Sequence, residues 1–229
     1  MQVENIRTVQ TADGSTTFFH AALNEHYHSI HGAHQESQHV YIENGLQYFH
    51  QKTLAKDISI LEMGFGTGLN YLLSLDYALN QGLSLDYTGI EAYPLPLQLI
   101  QQTNYQLFLI KPELIDLFNS KYEAALLCEQ AITVQQKLQI IEKKLADFSS
   151  SKKYDLIYFD AFASSKQPEL WTDEMIEHIC QFLNDKGIFV TYSVTGNLKR
   201  CLRKLGFSIE RPNGALGKRE MMRATLTQL

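Results

Sequence analysis

Residues 58–75, ISILEMGFGTGLNYLLSL, set Gly64, Gly66 and Gly68 at alternate positions between an apolar run and a periodic one, with Glu62 just upstream. A backbone that bare lets the main chain pass close to a ligand. The spacing is G-x-G-x-G rather than the dinucleotide-binding G-x-G-x-x-G, and no lysine follows to hold phosphates. Glu91 lies about twenty residues beyond the loop, where an acidic side chain accepts hydrogen bonds from ribose hydroxyls. Loop and acid together make a nucleoside site. Glycines with an upstream acid and no phosphate-holding cation suit S-adenosylmethionine better than NAD or ATP. The competing reading is a tight strand-to-helix turn beside a surface glutamate.

Two more carboxylates fall near the ends of later apolar runs. Asp160, in YDLIYFDAFASSKQPELW, is placed beside the same ligand. Methyl transfer from a sulfonium requires a neutral nitrogen lone pair, so a carboxylate that holds an amine and takes its proton is the useful group there. A helix N-cap or turn aspartate is its plainer alternative. Asp147, in KKLADF, could accept from an adenine amino group or be a solvated loop residue. Phe162 and Trp171 have rings that could stack on a splayed-out base, and Trp171 fits equally as packing at a helix start.

The elements that must position these groups alternate along the chain. Apolar runs with strand character occupy residues 58–63, 85–90, 138–141, 154–159, 188–192, 207–210 and 221–226. Helical patterns lie between them at 69–79, 95–102, 113–130, 174–183 and 197–205. The expected fold is therefore α/β, a mostly parallel seven-stranded sheet whose last two strands, joined through RPNGALG, form an antiparallel hairpin. Ligands of such sheets bind at the carboxyl ends of the strands.

At 229 residues and 45% hydrophobic content the chain suits one sizeable domain. No apolar run approaches the about 20 residues needed to span a bilayer, so a cytoplasmic protein without a membrane partner is expected. Cys128, Cys180 and Cys201 are widely separated, which fits neither a zinc ribbon nor a disulfide framework. His26, His28, His31 and His34 cluster in HYHSIHGAH, but no partner pattern completes a recognised site, and no metal is expected. The net charge is −5, yet Lys199, Arg200, Arg203, Lys204, Arg211, Lys218, Arg219 and Arg223 face only Glu210 and Glu220 over residues 199–223. A concentrated basic face on an acidic protein suits a phosphate backbone, or is the solvated side of an amphipathic helix. Lys218 and Arg219, after a glycine in a turn, are the expected direct nucleic-acid contacts, with Lys199 and Arg203 alongside.

LEMGFGTGLN, GIEAYPL, DLIYFDAFASSKQPELWT, GIFVTYSVTGNLKRCLRKLGF and GKREMMRA, with YHSIHGAHQESQHVYIENGL near the start, together resemble the methyltransferase of the MnmC/MnmD type over nearly the whole chain. The resemblance implies a class I, Rossmann-like, S-adenosylmethionine-dependent methyltransferase. Its substrate would be the aminomethyl nitrogen of 5-aminomethyl-(2-thio)uridine at the tRNA wobble position. It carries cofactor roles onto Gly64, Gly66, Gly68 and Glu91, and the substrate amine onto Asp160. It further implies that residues 1–50 cap the cofactor pocket, with Ser29, Gln35 and Glu36 as lining candidates, and that residues 51–229 form the core of a single domain. Ser164 and Gln167 stand where the family commonly has proline and asparagine, so the loop after Asp160 is expected to be shaped differently. Many relatives add a C-terminal flavin-dependent oxidoreductase domain. This chain stops short of one, which leads to the expectation that it lacks FAD and performs the methylation alone. The rival readings are methyl or aminopropyl transfer to a small amine, and a catalytically silent tRNA-binding module.

Overall fold

A computed structural model describes residues 5–215 and 217–227. The N-terminal segment opens with β1 (Ile6–Gln10), β2 (Thr16–His20) and β3 (Glu25–His26), a small antiparallel sheet whose Phe18 is fully buried against the main core. A helical rod follows: α1 (Ala33–Ser37), a π-type stretch Gln38–Gln47 with wider hydrogen bonding, and α2 (Tyr48–Thr53). Neither feature was among the expected elements, the first of which starts at residue 58. The rod buries Val40, Tyr41, Ile42, Gly45, Leu46 and Phe49, of which Ile42, Gly45, Leu46 and Phe49 keep helical spacing. Gly45 lets this rod approach the main sheet; a Cβ there would lie 3.2 Å from Tyr158 and 3.3 Å from Val190.

The main body alternates strand and helix. It runs β4 (Asp57–Met63), α3 (Leu69–Gln81), β5 (Ser84–Glu91), α4 (Leu97–Ile100), α5 (Leu114–Leu127), β6 (Gln130–Ala131), β7 (Gln136–Glu142) and β8 (Tyr154–Phe159), then α6 (Asp173–Cys180), β9 (Leu183–Thr191), α7 (Gly196–Lys204), β10 (Phe207–Glu210) and β11 (Met222–Leu226). The sheet has eight strands in the order β10-β11-β9-β8-β4-β5-β7-β6. β4, β5, β7, β8 and β9 are parallel, while β11 runs antiparallel to both β9 and β10. All seven expected strands are present, and β6 adds an unexpected antiparallel edge that starts at Gln130, the last residue of the helix expected over 113–130. The pattern at 95–102 yields only the single turn α4. Pro94 and Pro96 account for this, since a residue before proline is pushed out of the helical region.

Period-two alternation divides the core. Ile60, Leu156, Tyr158 and Val190 face the rod and α3, whereas Leu61, Ile157, Phe159 and Phe189 face α6 and α7. The chain starts its sheet at β4, builds outward through β5 and β7, and returns to the other side at β8. The carboxyl ends of β4 and β8 therefore flank the point where strand order reverses, the usual mouth of a ligand crevice in open α/β sheets.

Candidate active site

The glycine loop leaves β4 between β5 and β8. Gly64 and Phe65 donate to Ile90 O at 3.0 and 3.3 Å, and Asp160 N–H donates to Met63 O at 2.9 Å. Gly64 has φ +88°, and a Cβ on it would come within 2.5 Å of Asp160 O, so only glycine lets the two strand ends close this tightly. Gly66 presents bare backbone to the Tyr27 ring, 3.3 Å from where a Cβ would be. Gly68 caps α3 against Phe118 and does not reach the crevice.

That crevice is a cavity of ≈ 820 Å³, walled by Gly64, Gly66, Asn70, Glu91 and Asp160 from the sheet side and by Tyr27, His28, Ser29 and Glu36 from the N-terminal segment. Ser29 and Glu36 thus meet the other groups, while Gln35 spends its N–H on Asp13 Oδ2 at 3.0 Å and lies outside the lining. Glu91 Oε2 accepts Gly66 N–H and its Oε1 accepts Tyr93 N–H, each at 3.0 Å. Burial raises its pKa, with the Tyr93 and Gly66 amides acting in the opposite direction. Asp147 is not brought to the cavity. Its 3₁₀ turn, Leu145–Asp147, points Leu145 into the core and leaves Asp147 exposed, so Lys144, Leu145 and Ala146 line the cavity in its place. Trp171 is also outside the lining: its indole packs on Phe159 and donates to Phe162 O at 2.8 Å, which makes it a support for the Phe162 loop. Phe162 itself lines the cavity, edge-on to Tyr27.

A buried polar chain runs beneath the loop. Asn70 Nδ2 donates to Asp160 Oδ2 and to Glu62 Oε1, both at 2.8 Å, and Tyr87 OH donates to Glu62 Oε2 at 2.9 Å. Glu62 is fully buried and does not line the cavity, so the structure puts it under the site and not against a cofactor. Burial raises its pKa well above the carboxylate range, and the nearby Asp160 adds to this. On the other side Tyr41 OH donates to Asp160 Oδ1 at 2.6 Å. Burial pushes Asp160 up to about 7, against the lowering effect of the Tyr41 and Asn70 hydrogen bonds and of Lys218. Asp160 is thereby a fixed proton acceptor whose affinity for a proton matches neutral pH. Tyr41 and Asn70 were missed at the sequence level. Asn70 was findable, being the one amide in the apolar run that follows the glycines; Tyr41 lies in the π stretch, where no element was expected.

The basic segment does not form one face. Arg211 pairs with Glu220 at 3.3 Å, Lys204 with Asp173 at 3.6 Å, and Arg223 with Glu210 at 2.7 Å while also stacking 3.5 Å over the Tyr48 ring. Lys218, expected on the surface, points into the cavity, where it pairs with Glu36 and lies over Tyr192. Lys199, Arg203 and Arg219 make no ion pair among the described residues and lie outside the cavity, Arg203 and Arg219 being exposed. The histidines also separate. His28 lines the cavity with Nδ1 3.0 Å from Thr17 Oγ1, and burial lowers it to about 4, whereas His34 stacks on Phe108. Among the described residues no three His, Cys, Asp or Glu side chains are grouped to hold a metal ion.

The donor set fits a nucleoside-linked cofactor. The loop backbone is bare where a Cβ could not be tolerated, and Glu91 keeps lone pairs toward the cavity for hydroxyls. Asn70 belongs to the cavity lining, but its Oδ1 is buried and has no protein donor among the described residues.

A family model for S-adenosyl-L-methionine-dependent methyltransferases matches residues 101–227. The chain belongs to that family, and S-adenosylmethionine is its cofactor. More particularly, it is 30% identical to the tRNA 5-methylaminomethyl-2-thiouridine biosynthesis bifunctional protein MnmC of Idiomarina loihiensis over 91% of this chain and 36% of that protein. Against the MnmC of Magnetococcus marinus the identity is 29% over 88% of this chain and 31% of that protein. The chain thus spans about a third of the length of the curated relatives it matches. The solved structure of MNMC2 from Aquifex aeolicus superposes with a TM-score of 0.77 and 26% identity, covering 98% of this chain and 71% of that one. The sugar N-methyltransferase KedS8 of Streptoalloteichus shares the fold at a TM-score of 0.51 and 9% identity, over 85% of this chain and 87% of that one. The α/β sheet expected from the strand–helix alternation and the class I methyltransferase fold implied by the resemblance are the ones observed.

Proposed function

We propose that this chain methylates the primary amine of 5-aminomethyl-(2-thio)uridine at the wobble position of tRNA, giving the 5-methylaminomethyl nucleoside. The observation that carries an amine acceptor is Asp160. It faces the cavity beside the glycine loop, tethered through both oxygens, with a proton affinity near neutrality. The tRNA acceptor rests on the relatives named for 5-methylaminomethyl-2-thiouridine biosynthesis. In this reading residues 1–229 work as one methyltransferase unit in the cytoplasm, with the first 50 residues capping the site.

The backbone of Gly64 and Gly66 together with Glu91 would hold the cofactor. When bound, S-adenosylmethionine supplies an electrophilic methyl group on a positively charged sulfur. An alkylamine is an ammonium at neutral pH and has no free lone pair. Asp160 holds the ammonium by charge-assisted hydrogen bonding and accepts one proton at a carboxylate oxygen, which leaves the electron pair on nitrogen. Tyr41 and Asn70 keep the carboxylate aimed while this happens. Phe162 and Tyr27 offer aromatic faces and edges to a wobble base drawn out of its stack, and the cap excludes water. Lys199, Arg203 and Arg219 remain as contacts for the phosphate backbone.

Incubating the purified protein and S-adenosylmethionine with tRNA that carries 5-aminomethyl-2-thiouridine tests this directly. Nucleoside mass analysis is expected to show the gain of one methyl group on that nucleoside alone. Unchanged tRNA, with methyl transfer to small amines, would redirect the assignment.

A further inference from the structure

Lys218 brings an ammonium of the protein's own into the cavity. Its Nζ lies 3.9 Å from the centroid of the Tyr192 ring and pairs with Glu36 Oε1. Glu36 is only 7% exposed, and its other oxygen is fixed by Ser29 N–H at 2.9 Å. The Tyr192 hydroxyl donates to Ala161 O at 2.8 Å, which locks the ring next to the Asp160 loop. Glu36, Tyr192, Asp160 and Lys218 all line the same cavity. A carboxylate paired with an aromatic face is a general receptor for an alkylammonium. Lys218 comes from the turn between β10 and β11, and its side chain is 35% exposed, so it is held there by its head group and can swing to solvent on its flexible stem.

Building on the amine-acceptor reading above, we propose that Glu36 and the Tyr192 ring are the receiving site for the acceptor's primary ammonium. Lys218 fills that site while no acceptor is present. The incoming ammonium exchanges for the Lys218 ammonium, so Glu36 is never left as an unpaired buried charge. Once seated, the acceptor nitrogen lies beside Asp160. One N–H bond breaks there, the proton passes to the carboxylate, and the electron pair stays on nitrogen. The displaced Lys218 then points toward solvent, where a polyanion can meet it. Because the acceptor must compete with an internal cation, the place-holder lowers the apparent affinity for every ammonium ligand.

The test is calorimetric binding of 5-aminomethyluridine and, as the uncharged control, 5-hydroxymethyluridine, with S-adenosylhomocysteine present. Lys218→Met is expected to raise the preference for the amine over the alcohol about fivefold or more. Glu36→Gln should lower that preference roughly tenfold or more. An unchanged or reduced preference in Lys218→Met overturns the place-holder. In the wild-type protein, acetylation of Lys218 read by mass spectrometry offers a measurement free of any folding defect. It should speed up with 5-aminomethyluridine and stay unchanged with the alcohol; equal rates overturn the exchange. Methylation of aminomethylated tRNA by wild-type protein separates the two readings. Turnover without the Lys218→Met effect removes the place-holder alone, whereas neither turnover nor amine binding removes the amine-acceptor reading and this inference with it.

Discussion

The parallel sheet and the N-terminal segment wall one cavity, and they hold their polar groups by different means. On the sheet side, Glu62 pairs in register with Gly89 on β5 and Tyr158 on β8, so its position is set by two ladders at once. Asp160 continues β8 and Asn70 sits in the first turn of α3, which ties both to the same frame. On the other side, Tyr27, Ser29, Glu36 and Tyr41 come from a loop after a two-residue strand and from a rod with widened turns. The ladders fix where chemistry takes place. On the proposed reading the N-terminal segment tunes it, since Tyr41 lowers and Glu36 raises the proton affinity of Asp160 from outside the sheet.

If that division is right, damage to the frame should abolish binding and damage to the cap should shift titration. Gly64→Ala is the harshest change, because the new Cβ would meet a backbone carbonyl at 2.5 Å in a left-handed conformation. Affinity for S-adenosylhomocysteine, measured by calorimetry, is expected to fall about 100-fold or more, equivalent to roughly 2.7 kcal/mol. Gly82→Ala is the control, since nothing lies within 4 Å of its Cβ; it should cost about 1 kcal/mol of stability and leave affinity alone.

Tyr41→Phe tests the cap more gently. The hydroxyl bond at 2.6 Å lowers Asp160's proton affinity, so its loss should move the acidic limb of the methylation rate toward higher pH. A displacement of about one pH unit is expected, the equivalent of one hydrogen bond to a charged group. A limb that stays put, or moves to lower pH, would mean the cap does not tune the acid. Asp147→Ala should do least: cofactor affinity within about twofold of wild type, in keeping with an exposed residue outside the cavity. A large loss there would bring Asp147 back as an adenine contact.

The same division explains what could be read from the sequence. Each ladder-forming strand is an apolar run with a sharp end, and the groups at those ends, Gly64, Glu91 and Asp160, stand out by type and spacing. Asp147 misled because its turn selects Leu145 for the interior, a choice made by packing and invisible to spacing. Glu62 was assigned to the cofactor from proximity in sequence, but strand alternation turns it down into the core. Lys218 was read as a surface cation because its partners, Glu36 and Tyr192, lie far away in sequence and meet it only across the folded cavity. The apparent basic face dissolved for the same reason, as Arg211, Lys204 and Arg223 each found an acid or an aromatic ring.

The central proposition, that an Asp160 carboxylate frees the acceptor's lone pair, is tested most directly by single-turnover methylation of an anticodon stem-loop carrying 5-aminomethyluridine, followed against pH. Wild-type protein should gain about tenfold per pH unit below about 7 and then level off, in line with the proton affinity of Asp160. Asp160→Asn should retain cofactor binding yet run roughly 10²-fold to 10⁴-fold slower and lose that limb. An Asp160→Asn protein that methylates at the wild-type rate with the same pH profile would contradict the role given to this residue.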